Sequence, residues 1–173
     1  VIRAIIEEFD LILDADGLTS FEKNPKQLFN LLKKRKKRGN VILTPHEGEF
    51  NRLFNFGKMN KIEKARKASD ITNSTILFKG NDTVISSPKK ISLISKESSS
   101  FLATAGSGDI LAGICGGFIA QGMKSHEAAA AASWLHNEIG LEVGPGLIAE
   151  DMTNFLSKIM SKKLKSIYLK FKQ

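Results

Sequence analysis

Asp109 is the residue in this chain whose neighbours most invite chemistry. It follows Ala103-Thr104-Ala105-Gly106-Ser107-Gly108 and leads into Ile110-Leu111-Ala112-Gly113, an apolar and almost uncharged run that continues to Gln121. A glycine-rich turn that opens a helix leaves backbone N–H groups unpaired and pointing one way, and the helix dipole adds partial positive charge there. Such a turn cradles phosphate. A carboxylate would repel the anion, so its presence has a use if it takes a proton from a hydroxyl that attacks a phosphoryl group. The other reading is an ordinary glycine turn with an aspartate capping a buried helix, and the motif alone does not separate the two.

Three further polar groups follow short apolar runs. Leu11-Ile12-Leu13 ends in Asp14-Ala15-Asp16-Gly17, Val41-Ile42-Leu43 runs into Thr44-Pro45-His46-Glu47-Gly48-Glu49-Phe50-Asn51-Arg52, and Thr75-Ile76-Leu77-Phe78 ends in Lys79-Gly80-Asn81-Asp82-Thr83. Polar side chains at the carboxyl ends of strands sit where open α/β sheets bind their ligands. Each group also has a plainer reading. Asp-Gly sequences make turns, acidic residues suit a helix N-terminus, and Gly80 can simply permit a bend. A helix starting near Glu47 would place Glu49 and Arg52 on one face.

These groups need elements to hold them. The apolar triplets predict buried strands, and Val84-Ile85-Ser86 with Ile91-Ser92-Leu93-Ile94 predicts an antiparallel pair around Ser87-Pro88-Lys89-Lys90. Pro25 to Arg38 reads as a helix with Leu28, Leu31 and Leu32 on its core face and Gly39 at its end. Lys58 to Ser69, Ser125 to Gly140 and Ala149 to Met160 read as further helices, and Val1 to Phe9 as the end of one. Strands separated by helices argue for an α/β fold with a mostly parallel sheet flanked by helices.

Composition narrows the function classes. The 173 residues are one domain's worth, and 42% hydrophobic residues can build a core. No apolar run is long enough for a transmembrane helix, so a membrane role is not expected. One cysteine, Cys115, fits a small buried hydrophobe in a reducing cytoplasm. The net charge of +8 gathers in Lys33 to Arg38 and in the tail from Lys158 to Lys172. Neither cluster shows an aromatic-interleaved pattern of the kind that binds nucleic acid, so no nucleic-acid partner is expected.

Taken in order, the four segments Leu13 to Leu18, Leu43 to Phe50, Phe78 to Ile85 and Leu102 to Gly113 resemble the ADP- or ATP-dependent NAD(P)H-hydrate dehydratase family, which has a ribokinase-like fold. Gly116-Gly117, Gln121-Gly122, the alanine-rich helix to His136 and the Leu147 to Asp151 region extend the resemblance over nearly the whole chain. It implies Asp109 as the base toward a substrate hydroxyl and Gly106, Ser107 and Gly108 as an anion hole. It implies Lys79, Gly80, Asn81, Asp82 and Thr83, with Ser99, Ser100, Phe101, Leu102, Ala103, Thr104 and Ala105, as nucleotide-binding segments. His46, Glu47, Gly48, Glu49, Phe50, Asn51 and Arg52 would bind the NAD(P)H hydrate together with Asp109, and Glu49 would lie near Mg²⁺.

The implied reaction is phosphorylation of the hydroxyl on the hydrated nicotinamide ring by ADP or ATP, then loss of phosphate. A small-molecule kinase of the same fold would keep Gly106-Ser107-Gly108-Asp109, whereas Thr44-Pro45-His46-Glu47-Gly48-Glu49 favours the dehydratase. Ala105 and Ser107 depart from the family's Gly-Gly-Thr-Gly-Asp pattern, and Ala105 requires a negative φ. The family domain also has a substantial portion before the Asp14 segment. The expectation is therefore a ribokinase-like domain incomplete at its N-terminal side over residues 1–161, with a basic tail over 162–173. The missing half, as a separate chain, is an expected partner, as is a second copy of the chain.

Overall fold

The computed structural model describes residues 1–35, 39–95 and 98–170, with side chains through Lys163. Five strands form one sheet in the order of the chain: β1 (Leu11–Leu13), β2 (Val41–Leu43), β3 (Thr75–Phe78), β4 (Thr83–Ser86) and β5 (Leu93–Ser95). The pairs β1–β2 and β2–β3 are parallel, while β3–β4 and β4–β5 are antiparallel. The predicted strands are all present, and the second hairpin strand begins two residues later than its apolar run.

Residue alternation along the strands separates two cores. Leu11, Leu13, Val41, Leu43, Ile76, Phe78 and Val84 face one layer, which holds α1 (Ile2–Ile6), α2 (Ala15–Thr19), α3 (Pro25–Lys33), α4 (Glu47–Leu53) and α5 (Lys61–Thr72). Ile42, Leu77 and Ile85 face the other, built by α6 (Ser107–Ala120), α7 (Ser125–Val143) and α8 (Ala149–Lys170). The result is a helix–sheet–helix sandwich whose central strands are buried on both faces, as parallel strands require. Cys115 is fully buried in the second core, and loss of water pushes its thiol up to about 12.

Several helix ends differ from the sequence reading: α1 ends at Ile6, α5 spans Lys61–Thr72 and α7 runs on to Val143. The larger differences are at α3 and α8, and α3 stops at Lys33 rather than running to Arg38. Its buried stripe is Leu28 and Leu32, and beyond it Arg35 donates to the carbonyls of Ile5 and Phe9 at 3.2 and 2.7 Å. Residues 36–38 of the first basic run lie outside the described residues. α8 continues through Lys170, past the boundary drawn at residue 161, so the basic stretch to that point extends a helix; residues 171–173 are not described.

Candidate functional site

The site is built at the carboxyl ends of the three parallel strands. Asp14 directly follows β1, Lys79 directly follows β3, and Glu49 sits in the first turn of α4, just past β2. The Lys79 Nζ lies 2.7 Å from Asp14 Oδ1 and 3.8 Å from Glu49 Oε2, with all three side chains largely buried. An ammonium shared by two carboxylates satisfies charges that would be costly to bury alone. The backbone joins the same loops, because the Lys79 N–H donates to the Pro45 carbonyl at 2.9 Å.

Local chemistry fixes α4 in this place. His46 is its N-cap, with Nδ1 accepting from the Gly48 and Glu49 N–H groups at 3.0 and 3.3 Å. Glu49 Oε2 accepts from the His46 N–H at 2.8 Å, which closes a capping box. Phe50 is fully buried, its ring stacked on Phe78 at 4.2 Å. It anchors the helix in the core. Asn51 and Arg52 point away from the cluster: both are exposed, and Arg52 reaches Glu22 at 4.0 Å, not Glu49.

α6 meets this cluster with its N-terminus. Gly106 is the N-cap, held at φ 80°, and no side chain caps the first turn. The Ser107 N–H donates to the Thr104 carbonyl at 3.3 Å, and no side chain takes up the other N–H groups of the turn. A Cβ placed on Gly108 would lie 3.4 Å from Lys79 Nζ and 3.7 Å from Asp14 Oδ2, so the cradle rests directly on the ion pair. Asp109, one residue further on, is exposed and borders an apolar cleft of about 250 Å³ between α6 and α8. Ala105 is not among the residues with positive φ, so its Cβ is accommodated.

Gly106 has two reasons to be glycine: its positive φ, and a Cβ there would stand 3.0 Å from the Ala149 Cβ at the start of α8. Gly106→Ala is expected to cost about 1–2 kcal/mol of stability and to weaken phosphate binding by distorting the turn. Thermal melting and phosphate titration check both effects, and unchanged values in both would remove Gly106 from the cradle.

Ser107 is held from behind by His136 of α7, which the sequence reading placed only in a helical segment. Its Nε2 lies 2.9 Å from Ser107 Oγ and 3.0 Å from the Ser107 carbonyl. Burial depresses the imidazole to about 4, against the opposing effect of the Ser107 carbonyl, and Lys79 lowers it further. With Nε2 protonated and the ring neutral, His136 donates to Ser107. A depressed histidine is neutral when folded but takes a proton when unfolded below its usual 6.5, so its stabilisation is lost as pH falls from about 6.5 to about 4. The expected loss over that window is about 3 kcal/mol, read by denaturant unfolding at several pH values, and His136→Gln should flatten the profile. An equal slope in that variant would assign the dependence elsewhere.

The two segments expected to bind nucleotide do come together. The Ser98 N–H donates to the Asn81 carbonyl and Ser98 Oγ to the Gly80 carbonyl, at 3.3 and 3.2 Å. Thr83 Oγ1 also donates to Gly80 at 3.0 Å. The Ser99 N–H donates to Asn137 Oδ1 of α7 at 2.7 Å, while Ser99 Oγ is buried without a partner among the described residues. Ser100, Phe101 and Leu102 form a single 3₁₀ turn, followed by Ala103, Thr104 and Ala105 into the cradle. His46 and Glu47 share a cavity of about 690 Å³ with Lys79, Gly80, Asn81 and Asp82.

Mg²⁺ takes one or two carboxylates and completes its shell with phosphate oxygens and water; Asp14 and Glu49 are such carboxylates, and an ion there would share their oxygens with the Lys79 ammonium. Among the described residues no group of three or more His, Cys, Asp or Glu side chains could hold a metal by itself. Asp14 was noted in the sequence only as a strand-end carboxylate. Its position after β1 was the signal that could have placed it here. No helix among the described residues is long and apolar enough to cross a membrane.

This arrangement of sheet, strand-end charges and glycine-opened helix has a ribokinase-like fold. A solved ribokinase-like superfamily protein of Enterococcus faecalis superposes with a TM-score of 0.71 at 26% identity, covering 88% of this chain and 52% of that one. The match to a family model is more specific. The model described as NAD(P)H-hydrate dehydratase covers residues 2–163, and the chain belongs to that family.

The bifunctional NAD(P)H-hydrate repair enzyme of Synechocystis is 40% identical over 134 residues, which is 76% of this chain and 25% of that protein. The ADP/ATP-dependent NAD(P)H-hydrate dehydratase of Bacillus subtilis, co-crystallised with ATP and Mg²⁺ and soaked with CoA, gives a TM-score of 0.74 at 27% identity. That match covers 90% of this chain and 57% of the solved one. The chain thus spans a quarter of the first relative's length and a little over half of the second's.

Proposed function

We propose that this chain carries the nucleotide and phosphoryl-transfer side of an ADP- or ATP-dependent NAD(P)H-hydrate dehydratase. The supporting observation is the convergence of Asp14, Glu49 and Lys79 directly beneath Gly108, at the open N-terminus of α6. Asp109 takes the proton from the hydroxyl on the hydrated nicotinamide ring. The hydroxyl oxygen bonds to the terminal phosphorus of the nucleotide, and the bridging P–O bond breaks to leave a nucleotide one phosphate shorter. The N–H groups of the Gly106–Gly108 turn donate to the phosphoryl oxygens as charge gathers on them. The ring carbon then loses the phosphate, a proton leaves the neighbouring carbon, and the ring double bond is restored.

When bound, Mg²⁺ would be held by Glu49 and Asp14 and would spread charge on the phosphates. Lys79 to Thr83 and Ser99 to Ala105 hold the nucleotide; His46 to Glu49 face the hydrate. Residues 1–161 form this part of the domain, with the remaining wall of the substrate site lying in the length that its relatives have beyond the match. That wall is joined to this chain or supplied by a partner chain, and the reaction takes place in the cytoplasm.

Phosphate release from ADP or ATP, dependent on hydrated NADH or NADPH, tests the proposal with this chain together with the part of the substrate wall that its relatives carry. Release with recovery of 340 nm absorbance is the expected result. A stable phosphorylated vitamin precursor as the dominant product would overturn it in favour of a small-molecule kinase.

A further inference from the structure

The cavity joining His46 and Glu47 to the Lys79 loop has a wall that neither segment supplies. It is the start of α5, which contributes Lys61 and Lys64, three apart and therefore on one helix face. Lys61 lies across the Phe78 ring, 4.9 Å from its centroid, and its Nζ is 2.8 Å from Asp82 Oδ1. This pair holds the carboxyl of Asp82 below its usual range, chiefly through the hydrogen bond from Lys61. Gly80, held at φ 156°, lies close against Lys61, so a Cβ there would displace the Nζ. Lys61 is therefore committed to shaping the loop. Lys64 is half-buried on the same wall and has no carboxylate partner among the described residues.

We infer that Lys64, on the same cavity wall as the Lys61–Asp82 pair, binds the pyrophosphate of a nucleotide or dinucleotide. The inference rests on the dehydratase reading for its ligand class. Charge is distributed unevenly across the cavity. Glu47 lies on the α4 side, where it disfavours phosphate and can accept from ribose hydroxyls. Lys64 lies on the α5 side, where a cation finds no other anion to pair with. At about 690 Å³ the space is within the range that takes a ligand of nucleotide size. A single ammonium contacting phosphate also makes binding salt-sensitive.

Isothermal titration of the wild-type chain, Lys64→Glu and Lys64→Arg with inorganic pyrophosphate, ADP, NADPH and adenosine tests this. Pyrophosphate affinity should fall roughly tenfold or more in Lys64→Glu and return in Lys64→Arg, while adenosine is unaffected. The ADP and NADPH arms identify the source: the one weakened in parallel with pyrophosphate owns the wall. Matched melting curves verify that Lys64→Glu folds. Equal pyrophosphate, ADP and NADPH binding in wild type and Lys64→Glu, or no pyrophosphate binding by the wild type, overturns the inference. Hydrate-dependent phosphate release by the wild type reports separately on the dehydratase reading, so the two can fail independently.

Discussion

Asp109→Asn should lower hydrate-dependent phosphate release about a thousandfold while leaving ADP affinity within about threefold. The change is nearly isosteric and removes the negative charge together with the capacity to accept a proton. Asp109 is exposed in the first turn of α6, so stability should change little beyond the few tenths of a kcal/mol that a carboxylate contributes near a helix N-terminus. Steady-state turnover, ADP titration and thermal melting on the same preparation separate the effects. Turnover within tenfold of wild type would mean that another group, or water, takes the hydroxyl proton. A matching loss of nucleotide affinity would instead make Asp109 part of the binding surface.

Lys79→Met is expected to be the most damaging single change to the site's stability. It keeps the length of the stem and removes the charge shared by Asp14 and Glu49, whose side chains are 12% and 7% exposed. Removing one partner from such a group leaves uncompensated carboxylates and should cost about 3 kcal/mol. In a protein of this size that lowers Tm by roughly 10 °C. A double variant, Asp14→Asn with Lys79→Met, should recover part of the loss, because the two substitutions act on one interaction. Additive losses would show that Lys79 stabilises the loop by other means.

Much of this arrangement could be read from residue order. Three apolar triplets became β1, β2 and β3, and the polar residues just after them became Asp14, Glu49 and Lys79 of the site. The glycine turn and its helix stood where expected. The sequence was silent on which of the polar residues would touch. Asp14 and Lys79 are 65 residues apart, and they meet because β1 and β3 both run parallel to β2, which lies between them. His46 to Arg52 reads as one dense polar segment, yet helical periodicity divides it. Glu49 turns to Lys79, Phe50 enters the core, and Arg52 faces solvent. Lys61 carried no signal, because a lysine at the start of an amphipathic helix looks like any surface lysine until a loop from elsewhere lies against it. The contacts of Arg35 with the Ile5 and Phe9 carbonyls were equally hidden, since they form only after folding.

The sequential strand order has a consequence for how the molecule assembles. Each strand pairs with the next one along the chain, so the sheet can grow through a series of modest loop closures. α6 is different: it must return from the far side of the hairpin to lie against β1, where Gly116 faces Ile12. That closure spans about 100 residues and costs more entropy than pairing successive strands. It is also the closure that sets Gly108 over Asp14 and Lys79. The cradle should therefore be the late-forming and early-opening part of the structure, with amides at the start of α6 exchanging with solvent before those of β2 and β3.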